Sequence, residues 1–213
     1  MLTVADRDAL AGLAPLLRRA VGLDPRSLAR FRLGGAVATG LVRLPFDVLV
    51  SRTVHVTPRD DTVDVAVRAA DTIAWLDGET TEPPAPHDAE WRTGLPPAGG
   101  WRRLESVPDS VVRPLVRSGA QTLADAAARE GVPGARPRSE VADALLDSTV
   151  LTVTDDAGVS ADVSLRALSA LTRMDFLPRG GRIFVDTAGR WVRVVAEYGT
   201  VYLERPGSGL LLR

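Results

Sequence analysis

The run Gly180-Gly181-Arg182-Ile183-Phe184-Val185-Asp186-Thr187-Ala188-Gly189-Arg190-Trp191-Val192-Arg193-Val194-Val195-Ala196-Glu197-Tyr198-Gly199-Thr200-Val201-Tyr202-Leu203-Glu204-Arg205-Pro206 decides the fold. Across Trp191 to Tyr198, one face takes Val192, Val194, Ala196 and Tyr198. The other takes Trp191, Arg193, Val195 and Glu197. A period of two is that of a strand with one dry face. Ala188-Gly189 and Tyr198-Gly199 separate the apolar runs, and glycine accepts the positive φ of tight hairpin turns. Pro206 donates no ladder hydrogen bond and closes the last strand. Strands are therefore expected near 182–187, 190–197 and 200–205, as a three-stranded meander. The charges on the wetter face read first as solvated cross-strand pairs. Their second reading is an anion-binding sheet face.

Immediately upstream, Ser164 caps a helix with Leu165, Leu168, Leu171 and Met174 on one side. Thr149–Thr154 and Val159–Val163 form a hairpin around Asp155-Asp156-Ala157-Gly158. Ser139–Asp147 is a short helix, Gly131–Arg138 a loop, and Pro108–Glu130 a helix that Pro114 kinks or breaks. At the other end, Thr3–Val21 has the spacing of one amphipathic helix stopped by Gly22. Leu28–Val56 reads as β-structure with a hairpin turn over Gly34–Gly40. That glycine run lacks the lysine and the spacing of a phosphate loop. Thr57-Pro58-Arg59-Asp60 has the cap, proline and acid of a helix start, and Val63, Ala66, Val67, Ala70, Ile73 and Ala74 follow at helical spacing to Gly78. Asp60, Asp61 and Asp64 then serve as acids at that N-terminus. Glu79–Gly100 is rich in Pro, Gly and Thr and marks a boundary.

The expected architecture is α+β, in two small units, each a mostly antiparallel sheet with covering helices. The N-terminal α/β unit covers 1–80, a Pro/Gly-rich linker 81–100, and the C-terminal helices with an antiparallel sheet 101–213.

Composition excludes several chemistries. The 213 residues include 45% hydrophobic ones, enough for a core, with net charge −1 and mean hydropathy +0.04. All 26 basic residues are arginine and there is no cysteine. Without Lys there is no Walker lysine, Schiff base or kinase-type lysine. Without Cys there is no disulfide, thiolate nucleophile or Cys-held zinc. Two histidines, His55 and His87, cannot supply a three-His metal site. No cofactor or metal is expected. Asp6 and Asp8 stand where a signal peptide needs positive charge, and no run approaches the roughly 20 apolar residues that span a bilayer. The expectation is a cytoplasmic protein without a membrane partner.

Trp91 and Trp101 flank the Pro/Gly segment. Such residues pin loops to cores, or anchor partners. A candidate interaction surface follows: Trp91, Trp101, Arg102 and Arg103, with Arg182, Arg190 and Arg193 of the last sheet. The alternative is a winged-helix-like DNA binder with a helix-turn-helix near 122–147, contacting DNA through Arg129, Arg136 and Arg138. Its turn is swollen, and Glu140, Asp143 and Asp147 give the second helix the wrong sign for phosphates. Nucleic acid is thus not the expected partner. A second alternative is a hydrolase using carboxylates brought together by the fold. No GxSxG or HExxH motif supports it.

Gly40–Val54, Ala74–Gly78, Leu165–Met174 and Gly189–Arg205 are similar to a group of uncharacterised conserved proteins from actinobacteria. The matched phrases are mostly strand and helix cores. The resemblance implies a soluble bacterial protein of unknown function and transfers no activity or catalytic residue. The resulting expectation is a non-catalytic intracellular interaction or accessory protein with an unknown protein partner or a second copy of itself.

Overall fold

The computed structural model describes residues 1–129 and 139–205. The chain divides into two compact units, Met1–Leu95 and Pro96–Arg213.

In the first unit two short helices, α1 (Asp6–Ala11) and α2 (Ala14–Leu23), precede the strands β1 (Leu28–Leu44) and β2 (Val48–Arg68) and the helix α3 (Ala69–Leu76). The single helix expected over Thr3–Val21 is broken at Gly12-Leu13, where Pro15 starts α2. Gly22 lies inside α2 and does not stop it. The helix closes instead at Asp24, whose N–H reaches Ala20 O at 2.9 Å. The apolar spacing still holds, with Leu10, Leu13, Leu16 and Leu17 all buried. They meet β1 where Gly40 leaves room, since a Cβ there would sit 3.2–3.3 Å from Leu13, Leu16 and Phe31.

Two sequence expectations fail in β1 and β2. The Gly34–Gly40 run is no turn. It is strand with register shifts on either side of Gly35, whose φ of 56° suits a bulge. The turn comes at Pro45–Asp47, and Asp47 takes φ 60° as its N–H donates to Leu44 O. The helix expected from Thr57 is also wrong before Ala69: β2 runs through to Arg68, paired with β1 at Arg59 and from Val63 to Arg68. Burial of Val63, Val65 and Val67 on the dry side outweighs the helix-start signature. Asp61 and Asp64 are therefore strand residues, and they pair with Arg59 and Arg30. α3 packs against α2 and carries the buried Trp75 into the core.

The second unit holds β3 (Arg102–Pro108), α4 (Asp109–Arg129), α5 (Ser139–Asp147), the hairpin β4 (Thr149–Thr154) with β5 (Ser160–Ser164), α6 (Leu165–Arg173), and the meander β6 (Arg182–Ala188), β7 (Trp191–Ala196) and β8 (Gly199–Glu204). The meander and hairpin lie where their turn glycines place them. β3 is the element that sequence periodicity missed. It pairs antiparallel with β6 and makes the order β8-β7-β6-β3. α6 packs on β8, and Ser164 Oγ accepts from Ala167 N–H at its start. α4 crosses α6 at Gly119, where a Cβ would meet the Leu165 side chain at 2.4 Å. Pro114 is accommodated inside α4 without breaking it. Ile183, Val185, Val192, Val194 and Val201 form the dry face of the sheet, joined by Leu168, Leu171 and Phe176. Among the described residues no helix is long and apolar enough to cross a membrane.

Candidate interaction face

Alternation places the polar half of each meander residue pair on the opposite side of this sheet. Strand register then sets four of them in one row. Arg103 of β3 lies opposite Asp186 of β6, Asp186 opposite Arg193 of β7, and Arg193 opposite Tyr202 of β8. Cross-strand neighbours at this spacing interact directly. Arg103 Nε donates to Asp186 Oδ1 at 3.0 Å, and Arg193 Nε donates to Asp186 Oδ2 at 2.8 Å. The Asp186 side chain is only 2% exposed, so two guanidinium groups cover one buried carboxylate.

An aromatic ring lies against each of those guanidinium groups. Arg103 lies 4.1 Å from the ring centre of Phe184, and Arg193 lies 4.3 Å from that of Trp101. Trp101 leans on Tyr202, with centroids 6.0 Å apart and planes at 56°. Its indole N–H is spent on Pro97 O at 3.0 Å, which fixes the ring. Stacking of this kind exploits the negative ring face and the weak hydration of guanidinium.

Three of the sequence candidates, Trp101, Arg103 and Arg193, thus meet on one surface. The others do not join it. Arg102 turns to Asp155 at the β4–β5 turn, 2.5 Å away. Arg182 donates to Ser106 Oγ and to Ser106 O. Arg190 pairs with Glu204. Trp91 belongs to the first unit, where Arg30 lies 6.0 Å from its ring centre and its N–H donates to Thr93 O. Sequence reasoning missed Asp186, Phe184 and Tyr202. Their signal was present, because each sits an even number of residues from a flagged neighbour or a strand end on the wet face.

The DNA-contact candidates fare differently. Arg129 ends α4, whereas Arg136 and Arg138 lie outside the described residues. α4 is one helix of 21 residues, not the short first helix of a helix-turn-helix. On α5, Asp143 and Asp147 are taken up by Arg166 of α6, at 3.0 and 2.7 Å. A concavity of about 550 Å³ lies beside α5 and β8, lined by Asp147, Asp162, Glu204 and the hydroxyls of Thr149, Ser160 and Ser164. Its carboxylates are engaged by Arg166, the Thr152 hydroxyl and Arg190. Among the described residues no cluster of His, Cys, Asp or Glu could hold a metal.

Solved structures similar in fold include sliding clamps. The DNA polymerase sliding clamp from Pseudomonas aeruginosa with ligand is 13% identical, over 94% of this chain and 63% of the clamp, with a TM-score of 0.55. The DNA polymerase III subunit beta from the same organism is 12% identical, over 93% and 62%, with a TM-score of 0.57. The sliding clamp from Caulobacter crescentus is 11% identical, over 93% and 63%, with a TM-score of 0.53. The chain thus spans less than two thirds of these proteins, and the likeness is one of fold. No curated protein matches its sequence. Residues 1–93 match the family model "Domain of unknown function (DUF8010)". Residues 96–208, more than half of the sequence, match "Domain of unknown function (DUF8185)", and the chain belongs to that family.

Proposed function

We propose that this is a non-catalytic intracellular accessory protein that uses a sliding-clamp-like fold to hold a protein partner. The partner lies against the outward face of the second unit's sheet. The observation that carries this reading is the cluster of Trp101, Tyr202, Phe184, Arg103 and Arg193 around the buried Asp186. Trp, Tyr and Arg are the residue types on which binding energy concentrates. Here stacking and the shared carboxylate already hold them in place, so little side-chain freedom is lost on association.

Two further features tell against the alternative of a hydrolase using carboxylates. Asp6, Asp61, Glu90, Asp109 and Asp155 are all held below the ordinary carboxylate range. Burial works the other way at Asp6 and Asp155, and hydrogen bonds outweigh it. A proton-donating acid needs the opposite shift. The carboxylates of the concavity beside α5 and β8 are also already bound by protein groups.

The experiment is affinity capture from the native lysate, with and without nuclease, using the wild type and Trp101→Ala. The reading expects a protein partner, or a second copy of the chain, that survives nuclease and is lost with Trp101→Ala. Capture that depends on nucleic acid overturns it in favour of DNA contact. A partner that ignores Trp101→Ala overturns the assignment of the face.

A further inference from the structure

We propose that the partner segment held on this face is an acidic peptide. Its carboxylate is received by the terminal nitrogens of Arg103 and Arg193, and an adjacent apolar side chain lies on Trp101 and Tyr202. This inference rests on the reading of the face as a partner site and adds the chemistry of what it takes.

The argument begins with charge. Asp186 carries one negative charge and faces two guanidinium groups, so the row has an excess of one positive charge. Both arginines reach Asp186 through Nε. Among the described residues neither engages a second carboxylate. Their terminal nitrogens are the donors of a planar fork that matches a carboxylate. Each guanidinium is held by its Nε bond to Asp186 and by a ring 4.1 or 4.3 Å away, so the fork is set before any ligand arrives. Arg103 is 53% exposed and reachable, whereas Arg193 at 26% forms the deeper side.

The same geometry argues against a nucleic-acid strand. Phosphate tracking needs a stripe of unneutralised cations along the strand. Of the other arginines on this sheet, Arg102 is paired with Asp155 and Arg190 with Glu204, and Arg182 is spent on Ser106 Oγ and O at the far end of β6, four residues from Asp186. What remains beside the aromatic surface is the single excess positive charge of the Arg103–Asp186–Arg193 row. That fits a single carboxylate followed by an apolar residue.

The test titrates the full chain calorimetrically at low salt with three probes: a short peptide alternating aspartate and leucine, the same peptide with asparagine for aspartate, and a single-stranded oligonucleotide. The aspartate peptide should bind at least about tenfold more tightly than the asparagine peptide, the scale of one charge-assisted hydrogen bond. It should also bind more tightly than the oligonucleotide. Arg103→Gln, at the exposed side of the row, should remove that preference, and Arg103→Lys should restore only part of it. Equal binding of the two peptides, a preference for the oligonucleotide, or no peptide binding overturns the proposal. Should the peptides fail while Trp101→Ala still abolishes capture from lysate, the acidic chemistry is refuted and the face stands. Should capture be indifferent to Trp101→Ala, the face itself is refuted.

Discussion

Replacing Asp186 by Asn tests the centre of the proposed interaction face. The carboxylate is 2% exposed and accepts from both Arg193 and Arg103. Asn keeps the shape and one acceptor oxygen but loses the charge and the second acceptor. A hydrogen bond to a charged group contributes about 1.5–3 kcal/mol where it is shielded. The Arg193 bond qualifies, because that side chain is 26% exposed. Arg103 is 53% exposed, so its share falls toward the surface-pair range of about 0–1 kcal/mol. The two together give a loss of about 1.5–4 kcal/mol for Asp186→Asn. Urea unfolding followed by tryptophan fluorescence measures it, with Trp101 and Trp191 reporting on this sheet. Arg190→Gln is the comparator. It breaks a pair between side chains 65% and 39% exposed and should cost less than about 1 kcal/mol. The reasoning fails if Asp186→Asn is no more destabilising than Arg190→Gln. It also fails if Asp186→Asn and Arg193→Gln add without coupling, since groups in one hydrogen-bond network couple.

Three more predictions follow from the packing. In Gly199→Ala the new Cβ would lie 2.5–2.6 Å from three ring atoms of Phe176, which is 1% exposed. A loss of about 1–3 kcal/mol is expected, partly recovered by Phe176→Leu, and no recovery would refute the overpacking account. Arg166→Gln should speed hydrogen exchange along α5, because Arg166 ties Asp143 and Asp147 to α6, and should leave β7 protected. At Asp6 burial favours the neutral form, but the Thr3 N–H, the Arg59 guanidinium and the Thr3 hydroxyl outweigh it and hold the pKa below 3.8. The unfolded value is about 3.9. A carboxylate depressed on folding stabilises the fold above that value and loses its contribution as pH falls through the folded pKa. Asp6→Asn should therefore flatten the acid limb of a stability–pH curve below about pH 4. An unchanged limb would remove Asp6 from the account.

What was legible in the sequence follows from how evenly each strand alternates. The meander was readable because Val192, Val194 and Ala196 keep strict period two between turn glycines. The β4–β5 hairpin was readable from Asp155 to Gly158 for the same reason. β3 was hidden by its irregularity. A register shift between Arg103 and Glu105 brings Leu104 and Val107 to the buried side three residues apart, which erases the period. The second half of β2 was hidden by a false match. Val63, Ala66 and Val67 satisfy helical spacing as well as burial in a strand, and Pro58 sits where a helix would start. Only pairing with β1 decides between them, and pairing is not written in a local window. The site shows the same division. Alternation assigned Arg193 to the wet face, but nothing local says that Arg103, ninety positions earlier, shares a carboxylate with it.

The distant pairing of β3 bears on how the protein is made. Pro108 pairs with Arg182 and Arg102 with Thr187, so the first strand of the second unit leaves the ribosome long before its partner exists. Helices α4 to α6 are synthesised in between, and Leu104 and Val107 lack their sheet until the meander emerges. β1 and β2 are joined by a tight turn, so their ladder pairs adjacent segments of the chain. During synthesis the β1–β2 ladder thus has both its strands early while β3 waits, and stalling translation before Arg182 would leave β3 without its partner strand.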